Sequence, residues 1–193
     1  MTRDQLAHEI ALGLINTHVE GGYDAVSCST NGDYPSLGCS QWEGPRGDDL
    51  LSRIPGGDAY AGRRYSELDN CNALDGLSDL LASDAGVAAQ REKLAEDCLR
   101  YVDLMQTVST LDTSRGLMYC AMWCPTSEST VHVFTQNREN RGFDLRDLSV
   151  LRDVFYNEYA HAAGCDNYAE SYQNRAITTY DYVANLDLSQ YGE

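Results

Sequence analysis

The sequence predicts a mainly α-helical fold with a small loop or β-hairpin lobe near residues 23–44. Two observations carry this reading. Apolar residues recur at three-to-four spacing in one segment after another, beginning at Leu6 and ending at Val183. That period fails between Tyr23 and Gly44. There, Ser27-Cys28-Ser29-Thr30-Asn31-Gly32-Asp33-Tyr34-Pro35 is turn chemistry, and Asn31-Gly32 is a hairpin signal. A chain of 193 residues suits one domain, taken as residues 1–193, with one good core.

The elements follow in order. Thr2 and Gln5 have capping-box spacing and open a helix whose stripe is Leu6, Ala7, Ile10, Ala11, Leu14 and Ile15. Val19 continues the stripe, and Gly21-Gly22 supplies a stop that leaves Glu20 at the helix C-terminus. The dipole disfavours a negative charge there, and shielding from water would raise the carboxyl pKa, as a general acid requires. Pro45 leads into a short helix, Asp48 to Ile54, closed by Pro55-Gly56-Gly57. Asn72 is placed to cap a segment carrying Leu74, Leu77, Leu80 and Leu81. A longer helix starts near Asp84 and carries Val87, Leu94, Cys98, Tyr101, Met105 and Val108. Leu117 to Cys124 is apolar nearly all round, which predicts a central buried helix ended by Pro125. Asp144 is expected to cap Leu145, Leu148, Leu151, Phe155 and Tyr159. The last helix is expected from about Asn167, with Tyr168, Tyr172, Tyr180 and Val183 along it.

Charge and cysteine usage narrow the function classes. The formal net charge of −16 argues against nucleic acid as a partner, because phosphate binding needs a basic stripe. No apolar run is long enough to span a bilayer. Met1-Thr2-Arg3-Asp4 lacks the plan of a signal peptide. The expected location is therefore the cytoplasm until release, or the sequence is one domain of a longer secreted chain. Seven cysteines cannot all pair within one chain, so mostly free thiols are expected. Cys120 and Cys124 would share a helix face, but there is no CxxC pair and His132 makes a poor zinc site, so no metal or cofactor is expected. No GxSxG elbow or Cys/His pattern is present, and His18 would point away from Glu20 on a helix. Nothing in the sequence sets an oligomeric state.

The residues that carry chemistry cluster near the N-terminus. Glu20-Gly21-Gly22-Tyr23 is followed by the polar loop, then by Ser36-x-Gly38-x-x-Gln41-Trp42, an arginine, and a short helix with Leu50-Leu51. This order resembles the lysozyme-like superfamily, particularly its lytic transglycosylase and goose-type branch and the related phage-associated domains. The resemblance covers about the first quarter of the chain and implies a lysozyme-like domain that cleaves peptidoglycan or a related amino-sugar polysaccharide. It implies Glu20 as the catalytic acid, Gly38 as the point of close sugar approach, Ser36 as a brace for the loop, and Gln41 as a cleft residue. More weakly, Tyr172 and Arg175 resemble an aromatic–basic pattern in the last helix of phage-related members. Cys39-Ser40 stands where the family has a bulky apolar pair, and Asn31 stands about where phage-related members often have an acidic residue.

Asp33 is then the best candidate for a second carboxylate, with Asp48 and Asp49 next; a turn aspartate bonded to its own backbone explains Asp33 equally well. Two carboxylates would suit a glycosidase, whereas one would suffice for the transglycosylase route that the resemblance suggests. Tyr23, Tyr34 and Trp42 have flat faces suited to sugar rings, although core packing accounts for any one of them as well. Tyr60, Tyr65 and Tyr119 are further cleft candidates. Replacing Gln41 by Ala is expected to lower activity at little cost in stability. A chitosanase-like hydrolase of a cationic polymer is the second enzymatic reading, since an acidic cleft would attract it. A phage tail or virion protein that keeps the fold without activity is the third.

Overall fold

Thr2 opens the first helix, α1 (Arg3–Asn16), through a reciprocal cap in the computed structural model. Its hydroxyl accepts the Gln5 N–H at 3.2 Å, and its own N–H donates to the Gln5 side chain at 2.8 Å. The structure describes residues 2–17, 21–105, 118 and 128–185. Leu6, Ala7, Ile10, Ala11 and Leu14 are buried as the stripe predicts, while Ile15 is half-buried. The helix stops at Asn16, ahead of the expected Gly21-Gly22, with Thr17 as its C-cap. The Thr17 hydroxyl donates to the Leu14 carbonyl at 2.9 Å and supplies a partner for one of the last free acceptors. His18, Val19 and Glu20 lie outside the described residues, as do Val108, Tyr119, Cys120, Cys124 and the segment Leu117–Pro125 apart from buried Met118.

The chain divides into two units, residues 20–94 and residues 1–19 with 95–193. The first contains the only sheet among the described residues: β1 (Val26–Cys28), β2 (Pro35–Leu37) and β3 (Trp42–Glu43), antiparallel in the order β1-β2-β3. The pairing sets Val26 against Leu37 and Cys28 against Pro35, with Asn31-Gly32 in the intervening turn. Leu37 then pairs with Trp42. Helix α2 (Gly44–Ser52) carries Pro45 in its first turn, where a missing N–H costs nothing, and packs on β2 and β3. Trp42, Leu37, Leu50, Leu51, Leu68, Leu77 and Leu81 are the largest fully buried side chains of this unit. The last three come from α3 (Tyr65–Asn70) and α4 (Leu74–Ala82).

Asn72 has a different role from the one expected. It takes a left-handed conformation, φ 54°, just past the end of α3. Its N–H donates to the Asp69 carbonyl at 3.0 Å and the next N–H, of Ala73, to the Leu68 carbonyl at 2.8 Å. This is the Schellman arrangement that closes a helix, so Asn72 ends α3 and Ala73 precedes α4.

Helix α5 (Asp84–Met105) begins in one unit and continues into residues assigned to the other. Within residues 95–193, α6 (Glu128–Asn140) is followed by α7 (Leu148–Val154), a wide π turn at Phe155–Tyr159, and α8 (Ala169–Ala184). Asp147, not Asp144, caps α7, accepting the Ser149 N–H at 2.8 Å. The Asp144 side chain instead accepts the Arg146 N–H at 3.2 Å in a turn that leads buried Leu145 into the core. Phe134, Phe155, Tyr159 and Tyr172 form an edge-and-stack aromatic core, with neighbouring centroids 5.0–5.8 Å apart. The Arg138 guanidinium lies over Phe134 at 4.3 Å and pairs with Glu158 of the π turn at 2.8 Å. The buried stripe of α8 is Tyr172, Ala176, Thr179 and Val183, while Tyr168 is exposed and Tyr180 half-buried beside Arg152.

Candidate functional site

The Gly-x-x-Gln segment forms a turn between β2 and β3 that is held on every side by its own chain. Gly38 has φ 65°, and a β-carbon at this position would collide with the side-chain amide of Gln90. Glycine is required here on both counts: a left-handed backbone and a side chain packed against it. The space expected to admit sugar is therefore filled by Gln90 of α5. That side chain is fully buried, accepts the Cys39 N–H at 2.9 Å, and donates to the carbonyls of Tyr23 at 3.1 Å and Leu81 at 2.9 Å.

Gln41 is also left-handed, φ 51°, which costs a residue with a side chain roughly 1–2 kcal/mol. Its side chain offsets that cost by bracing the turn. The side-chain oxygen accepts from Ser27 at 2.9 Å and Ser36 at 3.0 Å, and the nitrogen donates to the Gly38 carbonyl at 2.9 Å. Ser36 is buried and acts as a brace for the loop. With three bonds in place, loss of the Gln41 side chain is expected to loosen the turn as well as alter its surface.

The segment that follows Glu20 in the chain is pinned to this turn. The Gly21 N–H donates to the Cys39 carbonyl at 2.8 Å, and the Gly38 N–H donates to the Ala25 carbonyl at 2.7 Å. Tyr23 is held at both ends by α5: Gln90 binds its carbonyl, and Arg91 donates to its hydroxyl at 2.9 Å. Helix α1 ends at Asn16, and Glu20, expected at a helix C-terminus, lies outside the described residues.

Asp33 stands on the hairpin and reaches α3. Its carboxylate accepts the Ser66 N–H at 2.9 Å and the Ser66 hydroxyl at 2.6 Å, and these bonds hold its pKa below the usual value. It is thus an ionised carboxylate at neutral pH, suited to stabilise positive charge and not to donate a proton. Asp49 is likewise held low, chiefly by the hydrogen bond from buried Lys93, with Arg53 also paired to it at 2.9 Å. Asp48 accepts the Gly62 N–H at 2.8 Å. Glu139, on α6, is displaced the other way, raised by burial.

Of the aromatic candidates, Trp42 is 1% exposed and belongs to the core, so no ring face is open to a sugar. Tyr34 is 50% exposed. It borders a cavity of about 410 Å³ whose wall also contains Pro35, Pro45, Asp48, Arg63 and Arg64. The structure thus keeps Tyr34 at an open site, buries Ser36, Gly38 and Trp42, and ties Tyr23 to Arg91.

Gln90, Arg63 and Arg64 are absent from the sequence-based candidates. Gln90 had a signal: it falls in the gap between Val87 and Leu94 in the α5 stripe, on the buried side of the helix. The cysteines Cys28, Cys39, Cys71, Cys98 and Cys165 carry free thiols. Among the described residues there is no group of three His, Cys, Asp or Glu side chains able to hold a metal. Nor, among those residues, is any helix long and apolar enough to cross a membrane. No protein-family model, curated protein or solved structure matches the chain.

Proposed function

We propose that this protein is a lysozyme-like enzyme that cleaves β-1,4-glycosidic bonds of peptidoglycan, with Glu20 as the general acid. The observation that supports it is the bond from the Gly21 N–H to the Cys39 carbonyl, 2.8 Å. It ties the backbone next to Glu20 to the Gly38–Gln41 turn, the pairing of elements that a lysozyme-like cleft uses. In this reading Glu20 protonates the glycosidic oxygen as the bond to the anomeric carbon breaks. The cationic sugar is then captured by water or by its own hydroxyl. Asp33, kept ionised by Ser66, is the carboxylate available to stabilise that charge.

Replacing Glu20 by Gln keeps the shape and removes the proton. The expected result is a folded protein with an unchanged or higher melting temperature and a loss of sacculus cleavage of at least ~10²-fold. Asp33→Asn, assayed beside it, separates the routes. A severe loss indicates a two-carboxylate hydrolase, and near-normal activity indicates a one-acid transglycosylase. Full activity of Glu20→Gln on both peptidoglycan and chitosan would remove the assignment. The chitosanase-like alternative draws on the net charge of −16 and predicts chitosan as the better substrate.

A non-catalytic virion protein is the competing reading. It is favoured by the internal use of Gly38, Ser36 and Gln41, whose presence folding alone can explain. It predicts that the wild type cleaves neither polymer.

A further inference from the structure

The cavity beside Tyr34 joins an open aromatic face to the one adjacent pair of basic residues in the chain, Arg63-Arg64. Its volume, about 410 Å³, lies within the roughly 300–1,000 Å³ of small-molecule sites. Gly62, with φ 70°, has open space where a β-carbon would stand, so the mouth is not narrowed there. The two arginines differ in what holds them. The Arg63 guanidinium is anchored to the Cys71 sulfur at 3.1 Å and the Glu67 carbonyl at 3.5 Å. Arg64 has its main-chain N–H bonded to Glu67 at 3.3 Å, and no side-chain hydrogen bond or ion pair joins its guanidinium to the described residues.

Two carboxylates stand nearby: Asp48 accepts the Gly62 N–H through one oxygen, and both oxygens of Asp33 accept from Ser66, which keeps it ionised. Asp33 acts on Arg64 through space, no hydrogen bond joins the Arg64 side chain to the described residues, and Arg64 lines the cavity. A planar guanidinium fork matches a carboxylate in two parallel bonds, and a half-exposed tyrosine flanked by prolines suits the apolar face of a ring.

We infer that this cavity is a subsite for a saccharide bearing a carboxylate, held by Arg64 and Tyr34. This deepens the glycosidase reading and rests on it for the sugar, but the acid preference rests on the cavity alone. It also separates two polymers, because the acidic peptide-bearing sugar of peptidoglycan fits and cationic chitosan does not.

The test is calorimetric titration of Glu20→Gln with a disaccharide–peptide fragment of peptidoglycan, first with its carboxylates free and then amidated. The free acid is expected to bind about tenfold more tightly at low salt, with the preference shrinking as salt is added. Adding Arg64→Gln should abolish the preference, and Tyr34→Ala should weaken both forms, with circular dichroism confirming the fold. Equal binding of the two forms, no binding of either at millimolar concentration, or a preference that survives Arg64→Gln would overturn the subsite. If wild-type protein cleaves nothing yet shows the Arg64-dependent preference, the subsite stands and the enzymatic reading falls. If it cleaves sacculi while Arg64→Gln leaves the preference and KM unaltered, the subsite falls and the enzyme stands.

Discussion

Gln90 is a neutral amide at full burial, and its three hydrogen bonds all go to main-chain groups. They join the Gly38–Gln41 turn, the Tyr23 segment and the end of α4. Removing the amide leaves a buried N–H and two carbonyls without their partner, each costing roughly 1–3 kcal/mol less whatever water recovers. Gln90→Ala is therefore expected to destabilise the protein by about 3 kcal/mol, read as a lower urea midpoint with an unchanged slope. A smaller effect, below about 1 kcal/mol, would mean that the turn holds itself. Much of this site was hidden in the sequence because its partners are far apart along the chain. Gly38 and Gln41 stood out as a motif, but motif resemblance assigned them to the substrate, whereas Gln90 and Ser27 claim them first. Only the polar residue in the α5 stripe pointed to the inward-facing amide.

At the scale of elements, the most legible features are those closed by near neighbours in sequence. The α1 cap was readable because Thr2 and Gln5 satisfy each other within one turn. The hairpin was readable because Asn31-Gly32 sets its own turn. Asp144 is the cap the sequence suggests, but Asp147 also precedes the α7 stripe at capping distance and takes the role. Burial of Leu145 decides it by bending the chain before the helix begins. Asn72 illustrates a second ambiguity, because asparagine serves both ends of helices. In the left-handed position at the end of α3 it is a substitute for glycine. Asn72→Gly is expected to stabilise the protein by up to about 1 kcal/mol and Asn72→Ala to destabilise it by about 1 kcal/mol. For a chain of this length, 1 kcal/mol corresponds to a melting shift of roughly 2–4 °C in either direction. If Ala proves as stable as Asn, the left-handed cap is not what fixes the α3–α4 corner.

Across the whole molecule, no linker or composition shift marked the division at Leu94, because it falls inside the continuous helix α5. Cooperative units are expected to follow that division. Native-state hydrogen exchange should group α1 amides with those of α8, and group the sheet with α2 to α4, each set opening at its own free energy. Exchange of α1 together with the sheet would contradict it. The unit that holds the sheet is continuous in sequence, whereas the other is interrupted by it. During synthesis the ribosome releases α1 first, then every residue of the continuous unit, and the partners of α1 last. The continuous unit can close on itself while the chain is still growing. Leu6, Ile10 and Leu14, buried in the finished protein, are expected to meet water meanwhile, which predicts α1 as the stretch a chaperone would cover on the nascent chain.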